Sequence, residues 1–245
     1  MRNGHYRQGM VQRPAAVALG FLGLMHSTLV ESSGYSASGW EEGLRGYESA
    51  LADAERNAQP MIIYFNTEWC PWCRQLNERY LPDSRVRSVL REFVKVSVNP
   101  EDGDRERRLF EQFGGGGYPG FFVAYPAGDA QPVKLSPFRK DGPWTPERFA
   151  QEINERVAIL FERNGIALAR TGDCDGALEY FEAALEWTEQ RQANLYYNIG
   201  RCYHAQASQQ RDRDLLSRAK SYYEKALAHD SSHAASRKAL EALHR

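Results

Sequence analysis

The sequence predicts an α/β unit followed by an all-α unit. Between residues 40 and 150, apolar runs typical of strands alternate with amphipathic helical patterns. Beyond residue 150 the strand patterns end, and apolar residues recur at helical spacing. A length of 245 residues is sufficient for two domains, so we expect residues 40–150 and 151–245 to form separate units after a leading segment, residues 1–39.

The composition excludes several classes of protein. Hydrophobic residues make up 42% and charged residues 26% of the chain, which argues against a wholly disordered protein. Lys and Arg total 31 against 32 for Asp and Glu, and no long basic run occurs, so we expect no nucleic-acid partner. Four cysteines are too few for a disulfide-built small scaffold.

The leading segment is typical of a secretory signal peptide. Three arginines precede an apolar run over residues 14–25, and a stretch of small and polar residues follows it. Ser36-Ala37-Ser38 fits a small-x-small cleavage site, and translation starting at Met10 instead of Met1 would shorten the basic part. We expect export, to a bacterial periplasm, with no membrane span after processing. An uncleaved membrane anchor and a disordered tail are the alternatives.

In the α/β unit, helical patterns cover residues 40–58, 71–80, 84–92 and 104–113. Strand patterns cover residues 61–65, 93–98 and 117–125, with a weaker one over 132–135. The first of these, Met61 to Phe65, is a continuous apolar run, which is typical of a buried central strand.

The motif that carries chemistry is Cys70-Pro71-Trp72-Cys73, at the junction between the first strand and the second helix. A thiolate attacks disulfides, and the free N–H groups at a helix N-terminus favour the thiolate of a cysteine placed there. Pro71 suits the first helical position. We therefore predict that Cys70 is the exposed nucleophile and Cys73 the partly buried resolving thiol.

Three interpretations without redox chemistry stay open for this motif. The first is a zinc site, which needs two further ligands. No second Cys-x-x-Cys or His pair lies nearby, so we expect no metal and no cofactor. The second is a purely structural disulfide, and the third is a pair of unrelated core cysteines.

The first unit resembles the thioredoxin superfamily. The resemblance rests on FNTEWCPWC at residues 65–73 and on Phe113-Gly114 and Gly117-Tyr118-Pro119 further along. It implies a thioredoxin fold over about residues 40–150 and thiol–disulfide exchange with protein cysteines, served by a redox partner protein. It also implies a cis bond before Pro119 that exposes the backbone of Tyr118 to substrate. We expect Trp69 and Trp72 to contact substrate together with Tyr118 and Pro119.

Departures from the family pattern affect proton transfer and specificity. Tyr64 occupies the position of a buried acid that usually accepts the proton of the resolving thiol, so Glu68 or water would have to serve. Gly120 replaces the usual threonine after the cis-proline. Residues 114–117 are all glycine and form either a loose turn or an adaptable substrate groove. The motif does not indicate the redox direction.

The second unit contains an internal repeat. Thr145 is a predicted N-cap before Pro146, and helix breaks fall near residues 172–173, 188–192, 208–214 and 230–232. Phe161 and Gly165 recur 35 residues later as Tyr196 and Gly200. Three further positions recur after 42 residues: Ala177, Phe181 and Ala184 as Ala219, Tyr223 and Ala226.

This pattern resembles the tetratricopeptide repeat (TPR), with two repeats and a capping helix over residues 234–244. Asn164 departs from the pattern, which usually has leucine there. Two repeats are few for independent stability, so we expect them to dock on the first unit through a helix shared across residues 146–171. The resemblance implies a protein partner, and a generic pair of helical hairpins is the alternative. Cys174 and Cys202 either pair or remain two free buried thiols.

The sequence therefore predicts an exported thiol–disulfide oxidoreductase with an α/β thioredoxin fold and an all-α TPR-like module. A second class fits the same features. In a binding or scaffold protein, the Cys70–Cys73 pair would be a static bridge and the helical module would carry the function.

Overall fold

The computed structural model describes residues 39–139 and 142–243. The predicted signal peptide and its cleavage site lie outside the described residues, as does His244 at the end of the predicted capping helix. A five-stranded sheet has the order β1-β3-β2-β4-β5, and a two-stranded hairpin follows it. The strands are β1 (Glu41–Glu42), β2 (Met61–Phe65), β3 (Val94–Val98), β4 (Gly120–Ala124), β5 (Val133–Leu135), β6 (Phe138–Arg139) and β7 (Gly142–Pro143).

The central strand is β2, as its continuous apolar sequence predicts. It pairs parallel with β3 and antiparallel with β4, and every one of its residues is buried. Tyr64 and Ile62 point into a core on one face of the sheet, while Met61, Ile63 and Phe65 point into a core on the other. Each face is therefore covered, which explains why no polar alternation occurs in this strand.

Nine helices lie in the described ranges. They are α1 (Gly43–Asn57), α2 (Pro71–Gln75), α3 (Ser84–Leu90), α4 (Asp104–Gln112), α5 (Pro146–Thr171), α6 (Cys174–Leu185), α7 (Gln192–Gln210), α8 (Arg213–His229) and α9 (Ala234–Leu243). A π-helical turn, Leu76–Tyr80, continues α2. Residues of α1 and α4 join one core, and residues of α2, α3 and α5 join the other. The first unit is therefore a sheet covered on both faces.

Two short elements differ from the sequence prediction. The first helix was predicted from Trp40, but Glu41 and Glu42 instead pair with Val96 and Ser97 at the edge of β3. Edge pairing satisfies backbone groups that the first turn of a helix would leave open. The hairpin β6–β7 was not predicted, because two-residue strands are too short to show an alternating pattern.

The helix α5 belongs to both units. Thr145 caps it, with its Oγ1 accepting a hydrogen bond from the Arg148 N–H at 3.2 Å. Near its start, the Phe149 ring packs edge-to-face on Phe121 of β4, with ring centroids 5.2 Å apart. Further along, Phe161 contacts Tyr125, with ring centroids 4.7 Å apart. The structure thus contains the predicted shared helix over residues 146–171, through which the helical unit docks on the first unit.

Asn164 has a specific partner across this interface. Its Oδ1 accepts a hydrogen bond from the Ala130 N–H at 2.9 Å, in the turn after β4. Gly128 lies so close that a Cβ there would be 2.4 Å from the Asn164 Nδ2. A leucine could not make this hydrogen bond. The departure from the repeat pattern therefore serves the contact between the two units.

Buried carboxylates of α5 hold the connection between α6 and α7. Glu155 accepts a hydrogen bond from the Thr188 hydroxyl at 2.5 Å. Glu162 accepts one from the Arg191 Nε at 2.9 Å. Both side chains are almost fully buried. Buried polar groups are tolerated when they are hydrogen-bonded, and Glu162 is in addition paired with the Arg191 guanidinium. These pairs fix where the second helical hairpin, α7–α8, begins.

The same glycine–aromatic contact occurs in both helical hairpins. A Cβ on Gly165 of α5 would lie 2.6 Å from the Phe181 ring of α6, and a Cβ on Gly200 of α7 would lie 2.7 Å from the Tyr223 ring of α8. The recurring glycines therefore let the paired helices approach closely, as the sequence repeat predicts. None of the helices within the described ranges has the length and apolarity that a membrane span requires.

We predict that Gly165→Ala lowers the free energy of unfolding by about 1–3 kcal/mol, because the added methyl group overlaps the Phe181 ring. At a helix position with free space around it, replacing glycine by alanine would instead raise the free energy of unfolding by up to about 1 kcal/mol. Urea denaturation of the variant measures the sign of the change in the free energy of unfolding. The control is Ser221→Ala, at an exposed position of α8, which should change stability by less than about 0.5 kcal/mol. A gain in stability for Gly165→Ala would contradict the packing described.

Candidate functional site

Cys70 and Cys73 form a disulfide at the start of α2. The buried strand β2 ends at Phe65, and a short turn places Cys70 as the N-cap of the helix. The Cys70 Sγ accepts a hydrogen bond from the Cys73 backbone N–H at 3.0 Å. This N–H is one that the helix itself leaves without an acceptor, so it is available to stabilise negative charge on the Cys70 sulfur.

The prediction that Cys70 is exposed is wrong for this oxidised state. The exposed fraction is 2% for Cys70 and 1% for Cys73. Each sulfur covers part of the other in the disulfide, and the Cys70 sulfur also turns towards the helix to accept the Cys73 N–H. Cys73 is likewise more buried than predicted, since it packs in the core beneath the sheet face that carries Tyr64.

Two tryptophans next to the disulfide cysteines remain exposed: Trp69 precedes Cys70, and Trp72 lies between the two cysteines. The exposed fraction is 62% for Trp69 and 52% for Trp72, the largest among the large hydrophobic side chains that the structure describes. Trp69 is oriented by two contacts: its Nε1 donates to the Glu101 carboxylate at 3.0 Å, and its ring meets Tyr118 edge-to-face at 5.8 Å. Tyr118 in turn stacks on Phe110 at 5.1 Å.

The unpredicted hairpin supplies a further aromatic residue to this surface. Phe138 of β6 packs against the Trp72 ring, with centroids 4.9 Å apart, and against Tyr80 at 5.6 Å. The Tyr80 hydroxyl donates to the Trp144 carbonyl at 2.6 Å, just after β7. Sequence reasoning missed Phe138, and the only available signal was an aromatic residue among turn-forming residues.

The peptide bond between Tyr118 and Pro119 is cis, the isomer that the resemblance implies. It lies immediately before β4, whose first residue, Gly120, pairs with Phe65 at the end of β2. Tyr118 therefore lies beside the same end of β2 that leads to the disulfide. All four glycines at 114–117 have φ between +51° and +103°, a region that other residues rarely adopt.

Tyr64, on the central strand, contacts Cys73. Its hydroxyl donates a hydrogen bond to the Cys73 carbonyl at 3.3 Å. Burial raises the pKa of this phenol far above its usual value of about 10. The side chain is therefore a neutral hydrogen-bond donor and does not replace the buried acid as a base.

Glu68 is exposed, and the hydrogen bonds of the described residues include none from its carboxylate to either cysteine. A cleft of about 860 Å³, with both polar and apolar walls, reaches Tyr64 from the edge of the sheet that carries β1. Asn66, Asn77 and Ser97 contribute to its walls. Across residues 39–139 and 142–243, no cluster of three or more His, Cys, Asp or Glu side chains could hold a metal ion.

We predict that Tyr64→Phe destabilises the oxidised protein by about 1 kcal/mol, because it removes the donor to the Cys73 carbonyl. Thermal unfolding of the oxidised form would measure this loss. Tyr47→Phe is the matched control, since that hydroxyl makes no hydrogen bond among the described residues although its ring packs on Phe113. Equal losses in the two variants would contradict a specific role for the Tyr64 hydroxyl.

Comparison with known proteins supports the assignment of the first unit. A family profile described as thioredoxin-like matches residues 40–126. The thiol:disulfide interchange protein DsbD of Ralstonia nicotianae is 26% identical over 94 residues, which are 38% of this chain and 16% of that protein. The chain thus spans about a sixth of the length of this curated relative.

Two solved structures are similar to part of the chain. A thioredoxin from Thermus thermophilus is 26% identical, with 48% of this chain and 86% of that chain covered and a TM-score of 0.38. The C-terminal domain of Neisseria meningitidis DsbD in its oxidised form is 18% identical, with 48% and 98% covered and a TM-score of 0.38. Residues 40–126 of this chain form a thioredoxin-like domain.

Proposed function

We propose that this protein is a thiol–disulfide oxidoreductase that acts on protein cysteines through Cys70 and Cys73. The observation that carries the proposal is the Cys70 sulfur at a helix N-terminus, 3.0 Å from the Cys73 N–H, within a thioredoxin-like domain. A sulfur held in this way is stabilised as a thiolate, which is the form that attacks a disulfide and also the form that leaves one.

The exchange runs through a mixed disulfide. In the reducing direction, the Cys70 thiolate attacks a substrate disulfide, forms a bond to one substrate sulfur and releases the other as a thiolate. The Cys73 thiolate then attacks the Cys70 sulfur, closes the Cys70–Cys73 disulfide and releases the second substrate sulfur. Two electrons pass to the substrate, and the protons of the two cysteines end on its thiols. The oxidising direction is the reverse of these steps.

Proton removal from Cys73 requires a group other than Tyr64, whose raised pKa keeps it neutral. Glu68 and water are the two acceptors that the sequence suggests. Water in the cleft at the sheet edge reaches Tyr64, the residue that contacts the Cys73 carbonyl, and we therefore propose water as the acceptor. Tyr64 then positions the backbone of Cys73 while water takes the proton.

The substrate surface in this proposal consists of Trp69, Trp72, Tyr118 and Pro119. The two exposed indoles offer apolar area next to the disulfide in sequence, and exposed aromatic residues of this kind are frequent anchors in protein interfaces. An extended substrate segment would pair with the backbone of Tyr118, beside the end of β2. The contacts of Trp69 with Glu101 and Tyr118 reduce the entropy lost when substrate binds.

The helical unit is the proposed site for a protein partner, and residues 40–150 and 151–245 remain the proposed division of the chain. The repeated glycine–aromatic contacts support a TPR-like packing of the two hairpins. A signal peptide within residues 1–38 and export to the periplasm complete the proposal. N-terminal sequencing of the mature protein tests it, and an intact Met1 or Met10 terminus on protein recovered only from the cytosol would contradict it.

A scaffold function remains a second candidate because both cysteines of the disulfide are buried. In that case the Cys70–Cys73 bridge would be structural and would resist dithiol reductants in the folded protein. The redox function instead requires that dithiothreitol opens the bridge under native conditions.

We predict that Cys70→Ser abolishes exchange with a protein disulfide, with a loss of at least about a thousandfold in rate, because no nucleophile remains. Insulin reduction coupled to dithiothreitol measures the rate. Cys174→Ser is the matched control, since this cysteine lies in the helical unit, and it should retain the full rate. Unchanged activity of Cys70→Ser would contradict the assignment of the nucleophile.

Cys73→Ser should accumulate mixed disulfides between Cys70 and substrate, since the resolving thiol is absent. Non-reducing electrophoresis and mass spectrometry of the adduct would identify the bond. Recovery of no adduct at Cys70 under mild oxidation would contradict the two-cysteine mechanism.

We predict that Trp72→Ala raises KM for a protein substrate about tenfold, equivalent to about 1.4 kcal/mol of lost binding, while exchange with a small dithiol is unchanged. The small dithiol does not reach the indole surface, so it reports on the disulfide alone. Leu216→Ala removes an exposed apolar side chain from the helical unit and is the control. A parallel loss of both activities in Trp72→Ala would indicate damage to the site rather than to substrate binding.

A further inference from the structure

Two cysteines lie outside the proposed active site and have no part in its mechanism. Cys174 is the first residue of α6, and Cys202 lies in the middle of α7. Both are free thiols and both are buried, with exposed fractions of 8% and 2%. They belong to the same core, which joins the helical unit to the sheet.

The two thiols are neighbours across the interface between α6 and α7. Burial raises the pKa of Cys202 to about 12, and the neighbouring Cys174 thiol and the charge of Asp173 add to this effect. One turn further along α7, the Gln206 Nε2 donates to the Asp175 Oδ1 at 2.7 Å. The start of α6 is thus held against this part of α7 by contacts at two successive turns.

We propose that Cys174 and Cys202 are a second dithiol site, which a low-molecular-weight disulfide such as glutathione disulfide oxidises to an intramolecular bridge between α6 and α7. Both thiols lie in the same core on helices that pack against each other, and closure requires the sulfurs to approach to about 2.0 Å. The site is independent of Cys70 and Cys73, and its failure would leave the proposed function intact.

The chemistry assigns different roles to the two thiols. Burial raises the pKa of Cys202, and Cys174 is the less buried of the two thiols, so Cys174 is the thiol that attacks first. Its thiolate attacks glutathione disulfide, bonds to one sulfur and releases one glutathione. Cys202 then attacks the Cys174 sulfur and releases the second glutathione. The dithiol loses two electrons, glutathione disulfide gains them, and the two thiol protons end on the two glutathiones.

The bridge would join the two hairpins of the helical unit. The helices α5 and α6 form one hairpin, and α7 and α8 form the next. A covalent bond from α6 to α7 therefore links one hairpin to the other, and it constrains the unfolded chain across the connection between them. We expect the apparent unfolding midpoint to rise by about 5 °C on oxidation.

The test uses the full chain with the Cys70–Cys73 disulfide closed, so that two thiols remain. The folded protein is incubated with glutathione disulfide, then denatured in acid and alkylated with N-ethylmaleimide. We expect no alkylated cysteine, no retained glutathione, and a peptide crosslink between Cys174 and Cys202. Two alkylated thiols, or glutathione retained without a crosslink, would overturn the proposal.

Single variants test the order of attack. Cys202→Ser leaves Cys174 alone and should retain one glutathione, whereas Cys174→Ser should leave Cys202 unmodified and open to alkylation after denaturation. The reverse pattern would overturn the assignment of Cys174 as the attacking thiol. Both variants also lack the rise in unfolding midpoint after oxidation, and a rise in either would show that it does not come from this bridge.

Discussion

The burial of β2 is the constraint on which the site depends. This strand pairs along both edges and is covered on both faces, so its last residue has a fixed position. The turn from Phe65 to Cys70 then delivers a sulfur to the first free N–H groups of α2. Pro119 and Gly120 approach the same end of β2 from the neighbouring strand. If the central strand were held less firmly, the disulfide, the cis-proline and the tryptophans would not keep fixed positions relative to one another.

The helix α5 extends this constraint to the rest of the chain. Its first turns pack on the sheet face that also holds Tyr64 and the disulfide, and its later turns form the first helical hairpin with α6. Buried polar residues of α5 replace apolar ones where it meets other elements, as Asn164 does at the Ala130 N–H. This hydrogen bond favours the observed arrangement of the two units, because a different one would leave the Asn164 oxygen buried without a partner. The two units are therefore held in a defined relation rather than joined by a flexible linker.

Much of the fold could be predicted because its signals are local. The apolar run of β2, the Cys-x-x-Cys motif at its end and the glycine–aromatic repeat each depend on residues close in sequence. The cis bond at Pro119 followed from the family resemblance and not from the residues alone. Helix ends agreed with the structure to within a few residues where a cap such as Thr145 marks them.

What could not be predicted depends on distant contacts. The burial of Cys70 results from its bond to Cys73 and from the direction of its sulfur, which no local pattern records. Phe138 contacts Trp72 only because a short hairpin brings it close to α2. Asn164 departs from the repeat pattern because it binds Ala130 in the other unit, a partner that its own neighbours in sequence do not indicate. In each case a tertiary hydrogen bond or ring contact decides the role of the residue.

The measurement that tests the central claim most directly is a redox titration of the Cys70–Cys73 pair. The folded chain is equilibrated with glutathione buffers of graded potential, and alkylation with mass spectrometry of the peptide that contains both cysteines reads this pair separately from Cys174 and Cys202. The account predicts one reversible two-electron transition, whose midpoint gives the direction of electron flow. A pair that stays oxidised in every buffer, and under dithiothreitol as long as the protein is folded, would contradict it and favour a structural bridge.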